Sequence, residues 1–297
     1  MPPDLTISII SADNLALLLP CLHSVFARTH RISLEVFVVD NASFDGTADS
    51  VVAEFPQVSV IRNVQRFGFS TNNNLVLQQG TGRYLMLLND DTVVLEGVLD
   101  EMVTFMDAHR EAGAVGSLLL NPDNTFQVSF AEFPHPMLEA IRPATSWTKQ
   151  KTKRLIEPFE VESVCGAAML VRREVIAQIG VLDIAFDPIY SEEVDWCYRI
   201  KQAGWRIYSL PKCKIIHYGS ITMNREVPRK YELLLSHKLL FFRKHKGQRA
   251  ANIYRVTLAL MTTLKVIWWT GVSLLDKQYM RERDLHFHLL RRITGLK

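Results

Sequence analysis

The stretch RYLMLLNDDT, residues 83–92, decides the fold of this chain. Residues 84–88 form an unbroken apolar run without charge, which is typical of a parallel strand buried on both faces. The run ends at Asn89, Asp90 and Asp91, so an amide and two carboxylates follow the carboxyl end of a strand. Ligands bind at that edge in open α/β sheets, and oxygen ligands suit a divalent cation. The residues alone leave an alternative open, a polar turn in which Asp91 caps a helix.

Helices and strands alternate at short spacing on the amino-terminal side of this stretch. Apolar runs at 5–11 and 34–40 predict two further central strands, and the apolar residues between them recur at the spacing of an amphipathic helix. The alternation continues with a helix predicted at 48–55, a strand at 58–62 and a helix at 70–79. This order predicts an α/β fold, a doubly wound and mostly parallel sheet with helices on both faces.

The pattern is less regular after the central strand. We expect a surface helix at 96–109 and a strand at 114–120. Residues 121–160 have no sustained period and contain five prolines, which is typical of a lid or binding loop. A basic group in and near this loop suits either an anionic ligand or a solvated loop. It consists of Arg142, Lys149, Lys151, Lys153 and Arg154.

Further elements are expected in the second half of the chain. Residues 161–172 predict one strand, and short strands are expected at 205–210 and 215–217. Between them, a helix is predicted to start after Ser191 as N-cap and to end near 203. The first turns of that helix contain three acids, where the helix dipole favours negative charge. These acids are Glu192, Glu193 and Asp195.

Composition excludes several classes of protein. With 297 residues, 48% of them hydrophobic and 22% charged, the chain can bury the core of a large globular domain. Its four cysteines form no C-x-x-C, so we expect neither a zinc site nor a disulfide framework, and a reducing cytoplasmic setting fits best. The amino terminus lacks the pattern of a signal peptide. No G-x-G-x-x-G follows the first strand, which disfavours a dinucleotide-dependent dehydrogenase.

Charge divides the chain into two predicted domains. Residues 1–224 hold 18 Lys and Arg against 26 Asp and Glu, whereas residues 225–297 hold 16 against 5. The acidic part is expected to be catalytic, and the basic part to be a helical extension that meets an anionic membrane surface rather than nucleic acid. Charges interrupt the apolar stretch 253–275, so it suits the membrane interface better than a spanning helix. Packing on the catalytic domain or on a second subunit, as in a homodimer, is the alternative.

Six segments, taken in order and spacing, give the chain a resemblance to a known family. The segments are VVDNASFDGT (38–47), RFGFSTNNN (66–74), GRYLMLLNDDT (82–92), CGAAMLVRREV (165–175), YSEEVDWCYR (190–199) and IHYGS (216–220). The chain resembles the family 2 glycosyltransferases, and among them the rhamnosyltransferase-like members. The resemblance implies a GT-A fold, a nucleotide-diphosphate sugar donor, a divalent cation, Mn²⁺ or Mg²⁺, and transfer with inversion at the sugar.

The resemblance also implies which residues bind the metal and the donor. The D-x-D element of the family reads Asn89-Asp90-Asp91 here, so Asp91 takes the metal-ligating position while Asn89 and Asp90 face the donor. His217 lies where relatives supply a late histidine to the metal, and a structural histidine is the alternative. Asp40 matches the acid that contacts the nucleobase or ribose, and a capping or turn acid is the alternative. The other expected neighbours of the nucleotide are Ser11, Asp13, Arg66 and Asn73, where an exposed arginine is the alternative for Arg66.

The catalytic base of the family is the second acid of a Glu-Asp pair, which here reads Glu192-Glu193. Glu193 is therefore the predicted general base, and adjacent carboxylates tend to raise the pKa of one member of the pair. Glu192, Gly166 and Trp196 are expected to shape the acceptor pocket. The alternative is structural, with acids that only stabilise the helix start and a tryptophan that belongs to the core.

The predicted function is metal-dependent, inverting transfer of a sugar to a hydroxyl of a growing surface glycan or a polyprenyl-linked acceptor. dTDP-rhamnose is the first donor to test and a UDP-sugar the next. The enzyme would act in the cytoplasm, bound peripherally to the inner face of the cell membrane. Asn89 in place of an acid and Glu193 in place of an aspartate leave a second hypothesis open, a catalytically impaired protein of the same fold that binds a sugar nucleotide or glycan.

Overall fold

The chain divides into two compact units. In the computed structural model the described residues are 2–141, 156–219 and 227–295. The first unit comprises Met1–Phe133 and Trp147–Gly219, and the second comprises Pro134–Ser146 and Ser220–Lys297. The predicted domain boundary at residue 224 lies near this division, which in addition groups Pro134–Ser146 with the carboxyl-terminal unit.

Short strands and helices alternate along the first unit. The described strands are β1 (Leu5–Ser11), β2 (Leu34–Asp40), β3 (Ser59–Arg62), β4 (Tyr84–Asn89), β5 (Thr92–Val94), β6 (Ala112–Leu120), β7 (Phe130–Ala131), β8 (Phe159–Glu160), β9 (Ser163–Val164), β10 (Ala168–Arg172) and β11 (Arg206–His217). The described α-helices are α1 (Leu15–Ala27), α2 (Thr47–Glu54), α3 (Phe69–Gln79), α4 (Val98–Ala108), α5 (Leu138–Ile141), α6 (Arg173–Ile179), α7 (Glu192–Gln202), α8 (Val227–Leu275) and α9 (Met280–Thr294).

Most of these strands form one mixed sheet. Its order among the described residues is β3-β2-β1-β4-β10-β6-β11-β5, with β8 paired to β11. β1 pairs in parallel with β2 and β4, and β2 pairs in parallel with β3. β10 runs antiparallel between β4 and β6, while β6 and β11 are parallel. The predicted α/β class with a doubly wound, mostly parallel sheet is confirmed.

The central strand β4 shows how the sheet separates two cores. Tyr84, Met86 and Leu88 belong to one hydrophobic cluster, whereas Leu85 and Leu87 belong to another. Successive side chains of a strand point to opposite faces, so the two clusters lie on opposite sides of the sheet. Helices α1, α2 and α4 contribute to the first cluster, and α3, α6 and α7 to the second. All five side chains are at most 2% exposed, as the apolar run predicts for a strand covered on both faces.

Two strand predictions were wrong in detail. The segment 161–172 is not one strand, because a turn at 165–168, closed by a hydrogen bond from the Ala168 amide to the Cys165 carbonyl, separates β9 from β10. The segments 205–210 and 215–217 belong to a single strand, β11, which shifts its register against β6 midway. The predicted basic loop residues lie outside the described residues, as does the last residue of the 216–220 motif. These loop residues are Arg142, Lys149, Lys151, Lys153 and Arg154.

The second unit is helical, with an unusual distribution of side chains. Gly247, at φ +81° and ψ 170°, interrupts the helical geometry of α8 and divides it into two segments. In the second segment the small polar side chains of Thr262 and Ser273 are buried. The large apolar side chains face outward, at 46% to 66% exposure for Ile253, Val256, Leu260, Leu264, Ile267 and Trp268. This pattern is the reverse of a soluble amphipathic helix, which buries its apolar stripe.

Candidate functional site

Three parallel strands bring predicted site residues to one edge of the sheet. The register of β1 and β2 aligns Ser11 with Asp40, and that of β1 and β4 aligns Ile10 with Asn89. The polar side chains that follow these strands therefore lie at a common edge, although up to about eighty residues of sequence separate them. Such an edge is where open α/β sheets bind ligands.

Asp91 and His217 form a pair at this edge. Antiparallel pairing of β5 with β11 aligns Thr92 with His217, which places Asp91 Oδ1 3.2 Å from His217 Nε2. Both side chains are 11% exposed, and Asp91 Oδ1 is buried without a hydrogen bond from any described residue. A buried carboxylate oxygen in this state lacks the partner that such groups normally have, and a cation is one such partner.

The donor set of this pair fits a hard divalent cation. A carboxylate and an imidazole suit Mn²⁺ or Mg²⁺, with diphosphate oxygens and water in the remaining positions. Among residues 2–141, 156–219 and 227–295, no group of three or more His, Cys, Asp or Glu side chains is arranged to hold a metal ion. Any ion held by Asp91 and His217 would therefore take its remaining ligands from other groups, such as amide or backbone oxygens, diphosphate oxygens or water.

Asn89 and Asp90 flank this pair. Asn89 Nδ2 lies 3.2 Å from His217 Nε2, so the amide contacts the predicted metal-ligating histidine. Burial raises the pKa of Asp90 to about 7, and the negative charge of Asp91 acts in the same direction, while the neighbouring Ser11 and Asn14 side chains oppose the rise. Accumulated negative charge at this edge therefore favours either protonation or a bound cation.

Two of the residues predicted to bind the nucleotide, Asp13 and Arg66, form an ion pair, whereas Asp40 bonds a neighbouring turn. Asp40 is 8% exposed, and its Oδ1 accepts a hydrogen bond from the Ser43 amide at 3.0 Å, as expected of a turn acid. Asp13 Oδ1 accepts from the Phe44 amide at 2.6 Å, and its other oxygen is paired with the Arg66 guanidinium. Asp13 and Arg66 are 40% and 47% exposed at their side chains, so both are accessible to a ligand.

Asn73 does not face the site. It is 1% exposed; its Oδ1 accepts a hydrogen bond from the Ser8 hydroxyl at 2.7 Å, and its Nδ2 donates to the Phe69 carbonyl at 3.1 Å. Both ends of the amide are thus used to hold α3 against β1. The predicted contact with the donor is therefore corrected to a structural role.

The acidic pair at the start of α7 consists of a buried glutamate, Glu192, which is 4% exposed, and a half-buried one, Glu193. Ser191 is the N-cap residue at φ +71°, but its side chain makes no capping hydrogen bond. Burial raises the pKa of Glu192 well above its ordinary value, and the charge of Glu193 raises it further. Burial likewise raises the pKa of Glu193. Glu192 Oε2 is buried and has no hydrogen bond to any described residue, which leaves it able to bond a ligand.

A tight turn connects the acidic pair to the end of β4. Within the turn at 165–168, a Cβ placed on Gly166 would lie 3.5 Å from Glu193 Cβ, so the backbone packs against this acid. The next residue, Ala167, accepts a hydrogen bond at its carbonyl from the Asn89 amide at 3.0 Å. The predicted base and the predicted metal-binding segment therefore flank the same turn, although about one hundred residues separate them in sequence.

Trp196 was wrongly predicted as a side chain of the acceptor pocket. It is fully buried in the cluster that contains Cys197 and Ile200, and its Nε1 donates to the Gly180 carbonyl at 3.0 Å. The spacing explains this position, because residues three and four apart on a helix share a face, and Trp196 shares one with Ile200.

Asp187 contributes to the site through a contact that sequence reasoning missed. Its Oδ1 accepts from the Ser70 amide at 2.8 Å, and its Oδ2 bonds the amide and hydroxyl of Thr71. The carboxylate thus caps α3 and fixes the segment that leads into α7. A Cβ at Gly68 would lie 2.2 Å from Asp187 Cγ, so this contact requires glycine there. Ser70 and Asp187 are 117 residues apart, and no local pattern could indicate the contact.

A family model for glycosyl transferase family 2 matches residues 6–180. The chain is 27% identical over 213 residues to the N-acetylglucosaminyl-diphospho-decaprenol L-rhamnosyltransferase of Mycobacterium tuberculosis (strain CDC 1551 / Oshkosh). That alignment covers 65% of this chain and 69% of the relative.

Solved structures share the fold. The mannosyltransferase PcManGT from Pyrobaculum calidifontis, in complex with GDP-Man and Mn²⁺, aligns with a TM-score of 0.62 at 17% identity over 99% of this chain and 87% of that one. GalNAc-T7 with UDP, GalNAc and Mn²⁺ aligns with a TM-score of 0.56 at 18% identity over 73% of this chain, which spans 44% of that structure. These likenesses establish the GT-A-like fold, and the match over more than half of the sequence establishes the family. The chain belongs to family 2 of the glycosyl transferases.

Proposed function

We propose that this glycosyltransferase moves a sugar from a nucleotide diphosphate to an acceptor hydroxyl with inversion at the anomeric carbon, and that it requires a divalent cation. One observation carries the proposal, the convergence of the Asp91–His217 pair and the Glu192–Glu193 pair on the turn at 165–168. The Asn89 amide donates to the Ala167 carbonyl at 3.0 Å, and a Cβ on Gly166 would lie 3.5 Å from Glu193 Cβ, so residues of this turn contact both sides.

The acidic pair supplies the base in this proposal. The acceptor hydroxyl loses its proton to the Glu193 carboxylate as its oxygen attacks the anomeric carbon, and the bond from that carbon to the diphosphate oxygen breaks. A single displacement of this kind inverts the configuration of the sugar. In this proposal Glu192 holds an acceptor hydroxyl beside Glu193, which is supported by its buried Oε2, an atom without a hydrogen bond among the described residues.

Stabilisation of the leaving diphosphate is assigned to the residues that follow β4 and to His217. Asp91 and His217 would hold Mn²⁺ or Mg²⁺, which neutralises the negative charge that develops on the departing diphosphate. Asn89 and Asp90 line the donor side, with Asp40, Asp13, Arg66 and Ser11 nearer the nucleotide.

The donor and acceptor are proposed from the rhamnosyltransferase relative. That relative is named for the transfer of L-rhamnose to N-acetylglucosaminyl-diphospho-decaprenol, a lipid-linked diphosphate sugar. We assign to this chain a dTDP-rhamnose donor and an acceptor hydroxyl on a growing glycan or polyprenyl-linked sugar, with a UDP-sugar as the second donor to test. Metal-dependent hydrolysis of the donor distinguishes this enzyme from a protein of the same fold that only binds sugar nucleotides, which would hydrolyse none.

The donor and metal assignments predict a specific pattern of thermal stabilisation. We expect the Tm to rise with dTDP-rhamnose plus Mn²⁺ and to rise much less with either alone, because a ligand that binds only the folded state stabilises it by mass action. A concentration one hundred times Kd corresponds to about 2.7 kcal/mol. A panel of nucleotide-diphosphate sugars with and without Mn²⁺, followed by differential scanning fluorimetry, measures this. An equal shift with and without the cation would contradict metal-dependent donor binding.

We also propose that the second unit binds the anionic inner face of the cell membrane. The helix Arg229–Leu275 is long and apolar enough, by length and composition, to cross a membrane. Only 11% of an apolar 18-residue stretch within it is buried. The outward apolar side chains at 253, 256, 260, 264 and 267 follow the spacing of one helix face. Exposed cations on α8 and α9 suit anionic headgroups. They include Arg243, Arg249, Lys265, Arg281, Arg291 and Arg292.

The membrane proposal predicts a loss of binding when the apolar face is made polar. Leu260→Gln combined with Leu264→Gln in the full chain is expected to reduce co-sedimentation with phosphatidylglycerol vesicles by more than tenfold. The control is Thr263→Gln, which changes an exposed polar residue on the same helix. Sedimentation velocity distinguishes the alternative: if the double variant binds vesicles normally but converts a dimer to a monomer, the face joins two subunits.

A further inference from the structure

Gln127 connects the segment before β7 to the predicted metal-ligating histidine. Gln127 Oε1 lies 2.8 Å from His217 Nδ1, and Gln127 Nε2 donates to the His217 carbonyl at 2.6 Å. The same nitrogen donates to Asn121 Oδ1 at 2.7 Å. The side-chain amide of Gln127 therefore bonds both the ring and the backbone carbonyl of His217, which lies 90 residues further along the chain.

The donor and the acceptor of each hydrogen bond between Asp123 and His217 can be assigned by starting from Asp123. Hydrogen bonds from the hydroxyl and amide of Thr125 lower the pKa of Asp123, so this exposed carboxylate is ionised at neutral pH and only accepts. The Thr125 hydroxyl donates to Asp123 at 2.6 Å and hence accepts from Asn121 Nδ2 at 2.7 Å. Asn121 then presents its oxygen to Gln127 Nε2, and Gln127 presents its oxygen to His217.

An oxygen facing His217 Nδ1 requires a hydrogen on that nitrogen. We propose that Gln127 is a positioning residue that holds His217 in the Nδ1–H tautomer, with the lone pair of Nε2 directed toward Asp91 Oδ1. This inference rests on the proposed metal site. A metal-binding histidine typically donates its other ring N–H to an oxygen acceptor, which fixes both the tautomer and the orientation of the ring.

The arrangement on the far side of the ring agrees with this role. Nε2 of the proposed tautomer carries no hydrogen, and it lies 3.2 Å from a carboxylate oxygen that accepts no hydrogen bond from the described residues. Two lone pairs at this separation repel one another unless a metal cation or a proton lies between them. The Asn89 Nδ2 group, also 3.2 Å from Nε2, can donate to the histidine when no cation is bound.

The tautomer is tested first, in the metal-free full chain. Long-range proton–nitrogen correlation spectra of protein labelled with ¹⁵N-histidine distinguish Nδ1–H from Nε2–H, and His217→Gln identifies the signal. We expect Nδ1–H in the wild type and in Gln127→Glu, which keeps an oxygen acceptor. Gln127→Leu is expected to give mainly Nε2–H. An Nε2–H signal in the wild type, or an unchanged signal in Gln127→Leu, would overturn the proposal.

Metal affinity is tested second, by electron paramagnetic resonance titration with Mn²⁺. Gln127→Leu is expected to weaken binding by about 10- to 100-fold, the usual cost of losing a group that orients a metal ligand. Gln178→Leu is the matched control, since the amide of Gln178 bonds Trp205 instead. In a His217→Ala background, Gln127→Leu should cause no further loss, and a further tenfold loss would refute action through the histidine. If the wild type binds no Mn²⁺, the proposed metal site fails, and the tautomer measurement still decides the role of Gln127.

Discussion

Glu193→Gln is expected to lower kcat by about 10²- to 10⁴-fold, the range that a positioned general base contributes, while leaving the Kd of the donor unchanged. Glutamine has nearly the shape of glutamate but cannot take the proton from the acceptor hydroxyl. Turnover at saturating donor and acceptor, with donor binding measured by calorimetry, separates the two effects. Turnover within twofold of the wild type would remove Glu193 from the role of base.

The raised pKa of Glu193 adds a pH signature to this result. Because burial raises the pKa, a larger fraction of the carboxyl is protonated and inactive as a base just below neutral pH than in an exposed glutamate. The wild-type rate should therefore rise with pH through that raised pKa, and the residual rate of Glu193→Gln should lack this rise. Glu174→Gln is the control, because Glu174 is an exposed acid in the first turn of α6.

Asp91→Asn is expected to weaken Mn²⁺ binding by at least about 100-fold, beyond the cost typical of groups that only orient a ligand. The variant replaces a buried anionic oxygen that has no hydrogen bond to the described residues with a neutral amide. The metal-free variant should unfold at the same temperature as the wild type or higher, since it no longer buries that uncompensated charge. It should also lose the stabilisation by Mn²⁺ that the wild type gains.

Two measurements check this second result. Isothermal titration calorimetry gives the Mn²⁺ affinity, and differential scanning fluorimetry gives the Tm with and without the cation. Asp49→Asn is the control, because Asp49 is an exposed acid that pairs with Arg62. Wild-type affinity in Asp91→Asn would show that the cation is held elsewhere.

The sequence was sufficient for the elements whose signal is local. The apolar run at 84–88 predicted a strand covered on both faces, and the structure buries every residue of it. The polar residues that follow β1, β2 and β4 could be predicted to lie close together, because parallel strands in such sheets end at one edge. Motif order then related these residues to an acid pair about a hundred residues away.

The errors share a physical cause, which is that a side chain's type does not reveal its direction. Asn73 and Trp196 lie within matching motifs, yet one amide is used up between α3 and β1, and the indole is enclosed in the core. Gln127 and Asp187 were missed for the complementary reason. Their partners, His217 and Ser70, are 90 and 117 residues away, and a single sequence has no periodicity that reports such contacts.

The reversed strand β10 has a consequence for how such an enzyme can diversify. β10 runs antiparallel to β4 and begins beside the end of that strand, with Ala168 opposite Leu88. The turn at 165–168, which precedes β10, therefore lies at the ligand edge although it belongs to a later part of the sequence. The proposed leaving-group side comes mainly from residues before 95, and the proposed acceptor side from residues after 160. Substitutions in this turn and in α7 can therefore alter the proposed acceptor side while the residues before 95 stay unchanged. The side-chain contacts of Asp91 with His217 and of Thr71 with Asp187 limit this independence, because they also join the two parts of the chain.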